Sequence, residues 1–268
     1  MTPSLPQKHR TLAQLLKEMG SVLVAYSGGI DSTVVMKVAH DALGARALAV
    51  TAVSPTLPDM ELEQAKQVAA QVGARHRLVE TDQLRIQDFV KNDERRCYHC
   101  KTDLYQGLAQ LRKEMAMDAM VDGTNLDDLG DDRPGLLAAR EWGVRSPLVE
   151  AGLSKDEVRA LARELGLSNW EKPAAACLSS RIQRGTPVTA EKLARVERAE
   201  AFLMEQGFLQ VRVRDREGAA RVEVETEEVS RLLEPAMQRR VTERLQQLGF
   251  AAVTLDPAGY RKGGGNKT

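Results

Sequence analysis

The sequence is poor in cysteine, has no excess charge of either sign and lacks long apolar runs. Its three cysteines, an odd number, give no framework of paired disulfides, so a cytoplasmic location is expected. No apolar run approaches the ~20 residues that a membrane span needs, and Met1 to Arg10 lacks the apolar core of a signal peptide. The 38 basic and 38 acidic residues cancel, which argues against a large general nucleic-acid surface.

The 268 residues, 43% of them hydrophobic, suffice for one or two domains with real cores. Strand-like and helix-like stretches alternate through the first half. We predict helix 9–19, strand 22–26, helix 33–39, strand 45–53, helix 59–72, strand 75–80, helix 102–117, a strand at 120 that runs into a loop by 125, and helix 154–165 with a capping box of Ser154 and Glu157. This order predicts a parallel sheet with right-handed crossovers. Ligands of such sheets bind at the carboxyl ends of the strands.

A glycine-rich turn follows the first predicted strand and reads Ser27-Gly28-Gly29-Ile30-Asp31-Ser32. In a strand–turn–helix unit, backbone N–H groups and a helix N-terminus converge on an anion. The glycines let a phosphate approach without a Cβ in the way, the serines add hydroxyl donors, and the aspartate suits a nearby cation. An ordinary β–α turn also favours these residue types, so a purely structural turn is the alternative.

The turn resembles the PP-loop, SGGxDS, of the ATP pyrophosphatases, which include GMP and NAD synthetases, argininosuccinate synthetases and tRNA thiolation enzymes. It lacks the Gly-Lys-Ser/Thr ending of the Walker loop. The resemblance implies that ATP is cleaved between its α- and β-phosphates, giving an adenylated intermediate and pyrophosphate. We expect an ATP site with Mg²⁺, formed by Ser27, Gly28, Gly29, Asp31, Ser32, Gly123 and Asp128.

Asp128 belongs to an acidic stretch with Asp127, Asp131 and Asp132. Acidic stretches are usually solvated loops. Because this one lies downstream of a strand end, we expect Asp128 to contact the nucleotide or Mg²⁺.

Cys97 and Cys100 form a C-x-x-C pair before the predicted helix at 102–117. They could be structural cysteines at a helix start. Zinc would need a second ligand pair that the sequence does not contain, and a redox dithiol would need a thioredoxin-like context. An iron–sulfur site would need a third cysteine. Cys177 is available, and small neighbouring residues give a substrate close access to its sulfur, although an isolated buried cysteine is more often inert packing.

The composition changes past residue 185. Helix 189–206, a hairpin of strands 209–215 and 219–225, helices 226–233 and 236–248, and strand 251–255 are predicted there. Arg212 and Arg214 are two apart on a strand and share a face; they either lie on a solvated face or, with Arg181, hold the phosphate of a nucleotide-like substrate. Glu200, Glu223 and Glu225 are expected mostly as surface charge.

Four motifs in order resemble the LarE family of ATP-dependent sulfur transferases, which build the nickel-pincer nucleotide cofactor. They are SGGIDS, RCYHCK, Pro-x-x-x-Cys-Leu-x-Ser-Arg and a closing Val-Thr-Leu-Asp-Pro-Ala-Gly-Tyr-Arg, and the match runs from about Leu12 to Arg261. The resemblance implies two domains and a tail. Residues 1–172 would form an α/β PP-loop ATP pyrophosphatase domain, similar to the adenine nucleotide alpha hydrolases. Residues 173–262 would form a small α+β substrate or oligomerisation domain, and residues 263–268 a disordered tail. The resemblance also implies a hexamer.

The family resemblance implies a substrate, pyridinium-3,5-biscarboxylic acid mononucleotide, whose carboxylates become thiocarboxylates. In many members the cysteine matching Cys177 gives up its own sulfur, whereas other members hold a [4Fe-4S] cluster on three cysteines, with one iron that binds and passes on sulfide. Cysteines at 97, 100 and 177 are similar to those of the cluster-bearing branch. The expected catalytic residues are then Cys177, Asp31 and Arg181; the sulfide source is unknown.

Three other functions compete with this one. A PP-loop tRNA thiolase would need a basic face, against which the charge balance speaks. An NAD- or GMP-synthetase-like ligase has no use for three cysteines. A nucleotide-binding sensor would bind ATP and release no pyrophosphate.

Overall fold

The computed structural model describes residues 3–130, 134–173 and 176–261. Asp131, Asp132 and the tail predicted at 263–268 lie outside the described residues. The chain divides into two compact units. The first unit comprises Met1–Ser54, Asp59–Asp82 and Cys97–Ala175, and the second comprises Pro55–Pro58, Gln83–Arg96 and Ala176–Thr268. The domain bounds 1–172 and 173–262 stay a prediction.

The secondary structure consists of two short sheets and their helices. The strands are β1 (Val22–Ala25), β2 (Ala47–Val53), β3 (His76–Glu80), β4 (Ala119–Val121), β5 (Val211–Arg216), β6 (Ala219–Val224) and β7 (Ala252–Leu255). The helices are α1 (Leu5–Glu18), α2 (Ile30–Leu43), α3 (Asp59–Val72), α4 (Gln87–Val90), α5 (Arg96–Glu114), α6 (Pro134–Glu141), α7 (Pro147–Glu150), α8 (Lys155–Glu164), α9 (Ala190–Glu205), α10 (Val229–Leu232) and α11 (Pro235–Gln247). Within the described residues, no helix combines the length and apolarity that crossing a bilayer requires.

The sheet of the first unit is parallel, with strand order β3-β2-β1-β4, as the α/β prediction required. Successive residues of β1 face opposite sides: Val22 and Val24 pack in one core with α1, α2 and α8, and Leu23 packs in the other with α5 and α6. Helices cover both faces, as in doubly wound folds. The strand order reverses between β1 and β4, and ligands bind beside the carboxyl ends of strands at such a reversal.

Helix α5 begins at Arg96, so the predicted start at 102 is wrong and both cysteines of the C-x-x-C pair lie inside the helix. The reason is a longer apolar stripe. Tyr98 packs against the same core as Tyr105, two turns further on. The helical face therefore extends one turn and a half before the predicted start.

The sheet of the second unit has the order β5-β6-β7. Strands β5 and β6 form the predicted antiparallel hairpin, with Arg216 opposite Ala219. The two residues between them, Glu217 and Gly218, both have positive φ, which is the type I′ geometry that suits the twist of a hairpin. Strand β7 pairs with β6 in parallel.

An ion pair connects α1 to the first turn of α8. Lys8 Nζ lies 2.6 Å from Glu157 Oε1, and Ser154 with Glu157 forms the predicted capping box. Hydrogen bonds from Lys8 and from the Ser154 N–H hold the pKa of Glu157 below its ordinary value. The depressed pKa means that the carboxylate stabilises the folded state above its unfolded pKa, and that this contribution is lost as the pH falls through the folded value.

We therefore expect Glu157→Gln to lower stability by about 1 kcal/mol at pH 7, because glutamine keeps the cap but removes the charge. The difference from wild type should vanish as the pH falls through the depressed pKa of Glu157. Urea unfolding midpoints of the wild type and the variant, measured at pH 7 and at a pH below the depressed pKa of Glu157, give this difference in stability. A difference that is the same at both would show that the charge is not responsible.

Candidate ATP site and arginine cluster

The PP-loop fills the turn between β1 and α2. The N–H of Ser27 donates to Ser32 Oγ at 3.2 Å, and Ser32 Oγ donates to the Gly29 carbonyl at 3.0 Å. Gly28 has a φ of +73°, and a Cβ built on it would lie 2.8 Å from the Cβ of Ala65 in α3. Both facts require glycine there. The first N–H groups of α2 have no partner inside the helix, which makes this end a site for an anion.

Gly123, after β4, lies directly against the first turn of α2. A Cβ built on it would be 2.5 Å from Ser32 N and 2.9 Å from the carbonyl carbon of Asp31. Real Cβ atoms do not come so close to backbone, so only glycine fits. The contact brings the loop after β4 next to the PP-loop, where the parallel sheet was expected to place a ligand.

Asp31 is held between two elements. Its Oδ1 accepts a hydrogen bond from Asn125 Nδ2 at 3.1 Å, and its Oδ2 lies 2.5 Å from Lys155 Nζ. The N–H of Asn125 donates to Asp128 Oδ2 at 3.1 Å, and the N–H of Lys155 donates to Asp127 Oδ2 at 2.5 Å. Asp127 and Asp128 of the acidic stretch thus belong to the same network as the PP-loop, so they are not merely solvated.

Neither Asn125 nor Lys155 was predicted from the sequence as a site residue. A signal for Lys155 was present. It is the first residue of α8, where a cation opposes the helix dipole, and such a residue favours a carboxylate partner.

The cysteine pair and the loop after β4 are connected through α5. Cys97 is exposed and Cys100 is half-buried, three residues apart and so on one face of the helix. Further along α5, Tyr105 donates to the buried carboxylate of Asp122 at 3.3 Å, next to Gly123. Burial raises the pKa of Tyr105, so its hydroxyl stays protonated and donates at neutral pH.

Cys177 is in the second unit and is exposed. It precedes the 3₁₀ helix Leu178–Arg181, and its Sγ lies 3.0 Å from Ser179 Oγ. Arg181 Nη1 donates to the carbonyl oxygens of Ala176 at 2.5 Å and Cys177 at 3.0 Å. The backbone of the cysteine is therefore held while its thiol is accessible.

Three arginines and two glutamates form a buried cluster in the second unit. Arg181 makes a two-pronged pair with Glu200, with both N···O distances at 2.9 Å. Arg214 Nη2 lies 3.0 Å from Glu223 Oε2. Arg181, Arg212 and Arg214 are only 4%, 7% and 9% exposed. Three guanidiniums and two carboxylates are thus buried close together.

The arginine cluster shifts the pKa of Arg181 and of Arg212 in opposite directions. Burial lowers the pKa of Arg212, and the charge of Arg181 lowers it further. Burial also opposes the charge of Arg181, but Glu200 outweighs it and raises the pKa of Arg181. The guanidinium of Arg212 lies 5.3 Å from the centre of the Tyr260 ring, which adds a cation–π contact. An added anion would relieve the repulsion between these guanidiniums.

The cluster corrects two sequence expectations. Glu200 and Glu223 are buried, so the expectation of surface charge is wrong for them, whereas Glu225 is exposed. The solvated-face alternative for Arg212 and Arg214 is also wrong. Glu200 comes from α9, which packs on β5, and its Oε1 accepts a hydrogen bond from the N–H of Val213 at 2.9 Å.

The predicted site residues therefore fall into two groups. All seven predicted ATP-site residues and two of the cysteines belong to the first unit, and Cys177 with the three arginines belongs to the second. The structure describes all three cysteines. Among the described residues, no three His, Cys, Asp or Glu side chains are placed to hold a metal ion.

Comparison with known proteins extends these observations. The sequence profile of NAD synthase matches residues 7–124. A pyridinium-3,5-bisthiocarboxylic acid mononucleotide synthase of Lactiplantibacillus plantarum is 40% identical over 99% of this chain and 96% of its own. An uncharacterised protein of Synechocystis is 45% identical over 97% of both chains. A GMP synthase of Aeropyrum pernix is 29% identical over 71% of this chain and 41% of its own.

The parallel sheet, the PP-loop and the match to the NAD synthase profile define an ATP-using enzyme of the PP-loop class. The near-full-length identity to the synthase of L. plantarum is more specific. The chain belongs to the LarE family.

We expect Gly123→Ala to weaken ATP binding by about tenfold or more, because the new methyl group would displace the first turn of α2. Gly107→Ala is the matched control, since a Cβ at Gly107 meets nothing within 4 Å. Calorimetric titration with ATP measures both. Unchanged affinity in Gly123→Ala would show that this contact does not shape the site.

Proposed function

We propose that this protein is an ATP-dependent sulfur transferase. It adenylates a carboxylate of pyridinium-3,5-biscarboxylic acid mononucleotide and converts it to a thiocarboxylate. The observation that carries the proposal is the 40% identity over 99% of the chain to a synthase of the corresponding bisthiocarboxylic acid. A homo-oligomeric, cytoplasmic enzyme is proposed with it, on the family resemblance.

The ATP site performs the activation step. A carboxylate is a poor electrophile because oxide is a poor leaving group. Transfer of AMP from ATP to the carboxylate gives a mixed anhydride and releases pyrophosphate. The N–H groups of the PP-loop would stabilise the departing pyrophosphate, and a bound Mg²⁺ would supply charge stabilisation. Asp31 and Asp128, already joined through Asn125, are the carboxylates that would hold that cation.

The arginine cluster is the proposed site for the phosphate of the mononucleotide. Guanidiniums bind phosphate oxygens through two parallel N–H groups. The charges of Arg181 and Arg214 act against that of Arg212, so a phosphate bound among the three guanidiniums would reduce their mutual repulsion. Arg181 also contacts the backbone of Cys177, so the proposed phosphate site would lie beside a thiol.

Sulfur transfer is assigned to the cysteines. Thiolates are the ligands of iron–sulfur clusters, and the donor set of Cys97, Cys100 and Cys177 fits a [4Fe-4S] cluster in its chemistry. When bound, such a cluster supplies sulfur that is held deprotonated by a metal. The assignment is supported by this donor set and by the family resemblance.

The test of the donor set is iron and acid-labile sulfide analysis after anaerobic reconstitution. We expect about four irons per chain in wild type, and their loss in Cys97→Ala, Cys100→Ala and Cys177→Ala. Ser179→Ala, which removes the hydroxyl beside Cys177 and keeps all three thiols, should retain the iron.

Two results would contradict this assignment. The first is an iron-free wild type; loss of H₂S from the chain after one turnover, seen by mass spectrometry, would then make Cys177 a sacrificial donor. The second is a Cys97→Ala variant that turns over many times with added sulfide.

The phosphate site has a separate test. We expect Arg212→Gln to raise the KM for the mononucleotide by about ten- to a hundredfold, because a charged hydrogen-bond donor is lost. The affinity for ATP should not change. Arg216→Gln, at the exposed end of the same strand, is the matched control. Steady-state pyrophosphate release measures both, and an equal effect of the two variants would exclude a specific phosphate contact.

A further inference from the structure

We propose that Asn169 is a positioning residue that holds the PP-loop in the conformation that binds the terminal phosphates of ATP. The proposal rests on ATP binding by the PP-loop and is independent of which acceptor is adenylated. Asn169 lies after α8 in the first unit and is 9% exposed. Its Nδ2 donates to the carbonyl oxygen of Gly28 at 3.1 Å and to Thr33 Oγ1 at 2.9 Å.

The hydrogen bonds fix which way the Asn169 amide is turned. A carbonyl oxygen only accepts, so the group that faces Gly28 is the NH₂. The hydroxyl of Thr33 donates to the Gly29 carbonyl at 2.9 Å, so it accepts from Asn169. A flipped amide would set Oδ1 against two acceptors. The side chain therefore has one orientation, with both NH₂ protons directed to the PP-loop and its helix.

The other end of the amide shows that stability alone does not explain this residue. Oδ1 of Asn169 is buried and has no hydrogen-bond partner among the described residues. Buried polar atoms are nearly always paired, because an unmet one is destabilising. An apolar side chain of similar shape would leave no such atom. What only the amide provides is the pair of donors to Gly28 and Thr33.

The carbonyl held by Asn169 sets the direction of a phosphate-binding N–H. The peptide between Gly28 and Gly29 is trans, so its C=O and N–H point in opposite directions. With the carbonyl on buried Asn169, the Gly29 N–H points towards the exposed Ser27, whose Oγ is 3.4 Å away. That contact is longer than an ordinary N–H···O hydrogen bond, so a phosphate oxygen can replace it.

Without Asn169 this peptide would be free to turn over. It lies between two glycines, which rotate with little steric restriction. A reversed peptide would present a carbonyl oxygen to the phosphates in place of an N–H. Asn169 therefore acts on the polyphosphate part of the nucleotide and not on its nucleoside part.

The experiment compares Asn169→Leu and Asn169→Asp with wild type. Both remove the paired donors and keep the number of side-chain heavy atoms. Calorimetric titrations use Mg²⁺ with ATP, and AMP alone, with no acceptor present. We expect ATP to bind about tenfold more weakly in both variants, with the affinity for AMP unchanged. Thermal unfolding checks that each variant is folded, and the aspartate variant serves if leucine is not tolerated.

Ser168→Ala is the matched control. It removes a hydrogen bond to Gln71 from the same turn without touching the PP-loop, and should bind both nucleotides like wild type. Parallel weakening of ATP and AMP, an equal loss in Ser168→Ala, or unchanged ATP affinity in the Asn169 variants would each overturn the proposal. Failure of wild type to bind ATP would instead overturn the PP-loop site itself.

Discussion

Contact between two backbone segments governs the geometry of the ATP site. Gly123 follows β4 and lies so close to α2 that a methyl group would meet Ser32 N at 2.5 Å. Backbone atoms in a sheet and a helix cannot move aside as the end of a side chain can. The contact therefore fixes the loop after β4 against the PP-loop, and Asn125 of that loop then reaches Asp31. The side chains of the site take their positions from the packing of sheet and helix.

The second unit positions its groups by charge. Arg181 and Arg214 are each aligned by a buried carboxylate, Glu200 and Glu223. Desolvation of both partners means that buried ion pairs add little net stability, and apolar residues of similar size often do as well. A cluster that also contains Arg212 is costlier still, since burial and a like charge lower the pKa of that guanidinium. Such an arrangement supports the proposed phosphate site.

Sequence patterns predicted those helix ends that interactions between neighbouring residues determine. Helix 59–72 was predicted with its observed ends, because proline and carboxylates mark its start and Gly73 its end. The start of α5 was not predicted, because Tyr98 is helical through its contact with the core that also contains Tyr105. Asn169 was missed because its partner Gly28 lies 141 residues away. The position of Lys155 at the start of α8 was a signal, but its partner Asp31 lies 124 residues away. Only the folded chain brings them together.

The net charge of the sequence does not predict how charges are distributed at each site. The equal numbers of basic and acidic residues argue against a broad basic surface. They give only the total charge and not its local distribution. At the PP-loop the balance is local, since Lys155 offsets Asp31. In the arginine cluster like charges lie close together, since Arg181 lowers the pKa of Arg212, and the side chains are buried. A small group of buried guanidiniums is consistent with the proposed site for one phosphate group of a small molecule, whereas a nucleic-acid backbone needs many exposed cations.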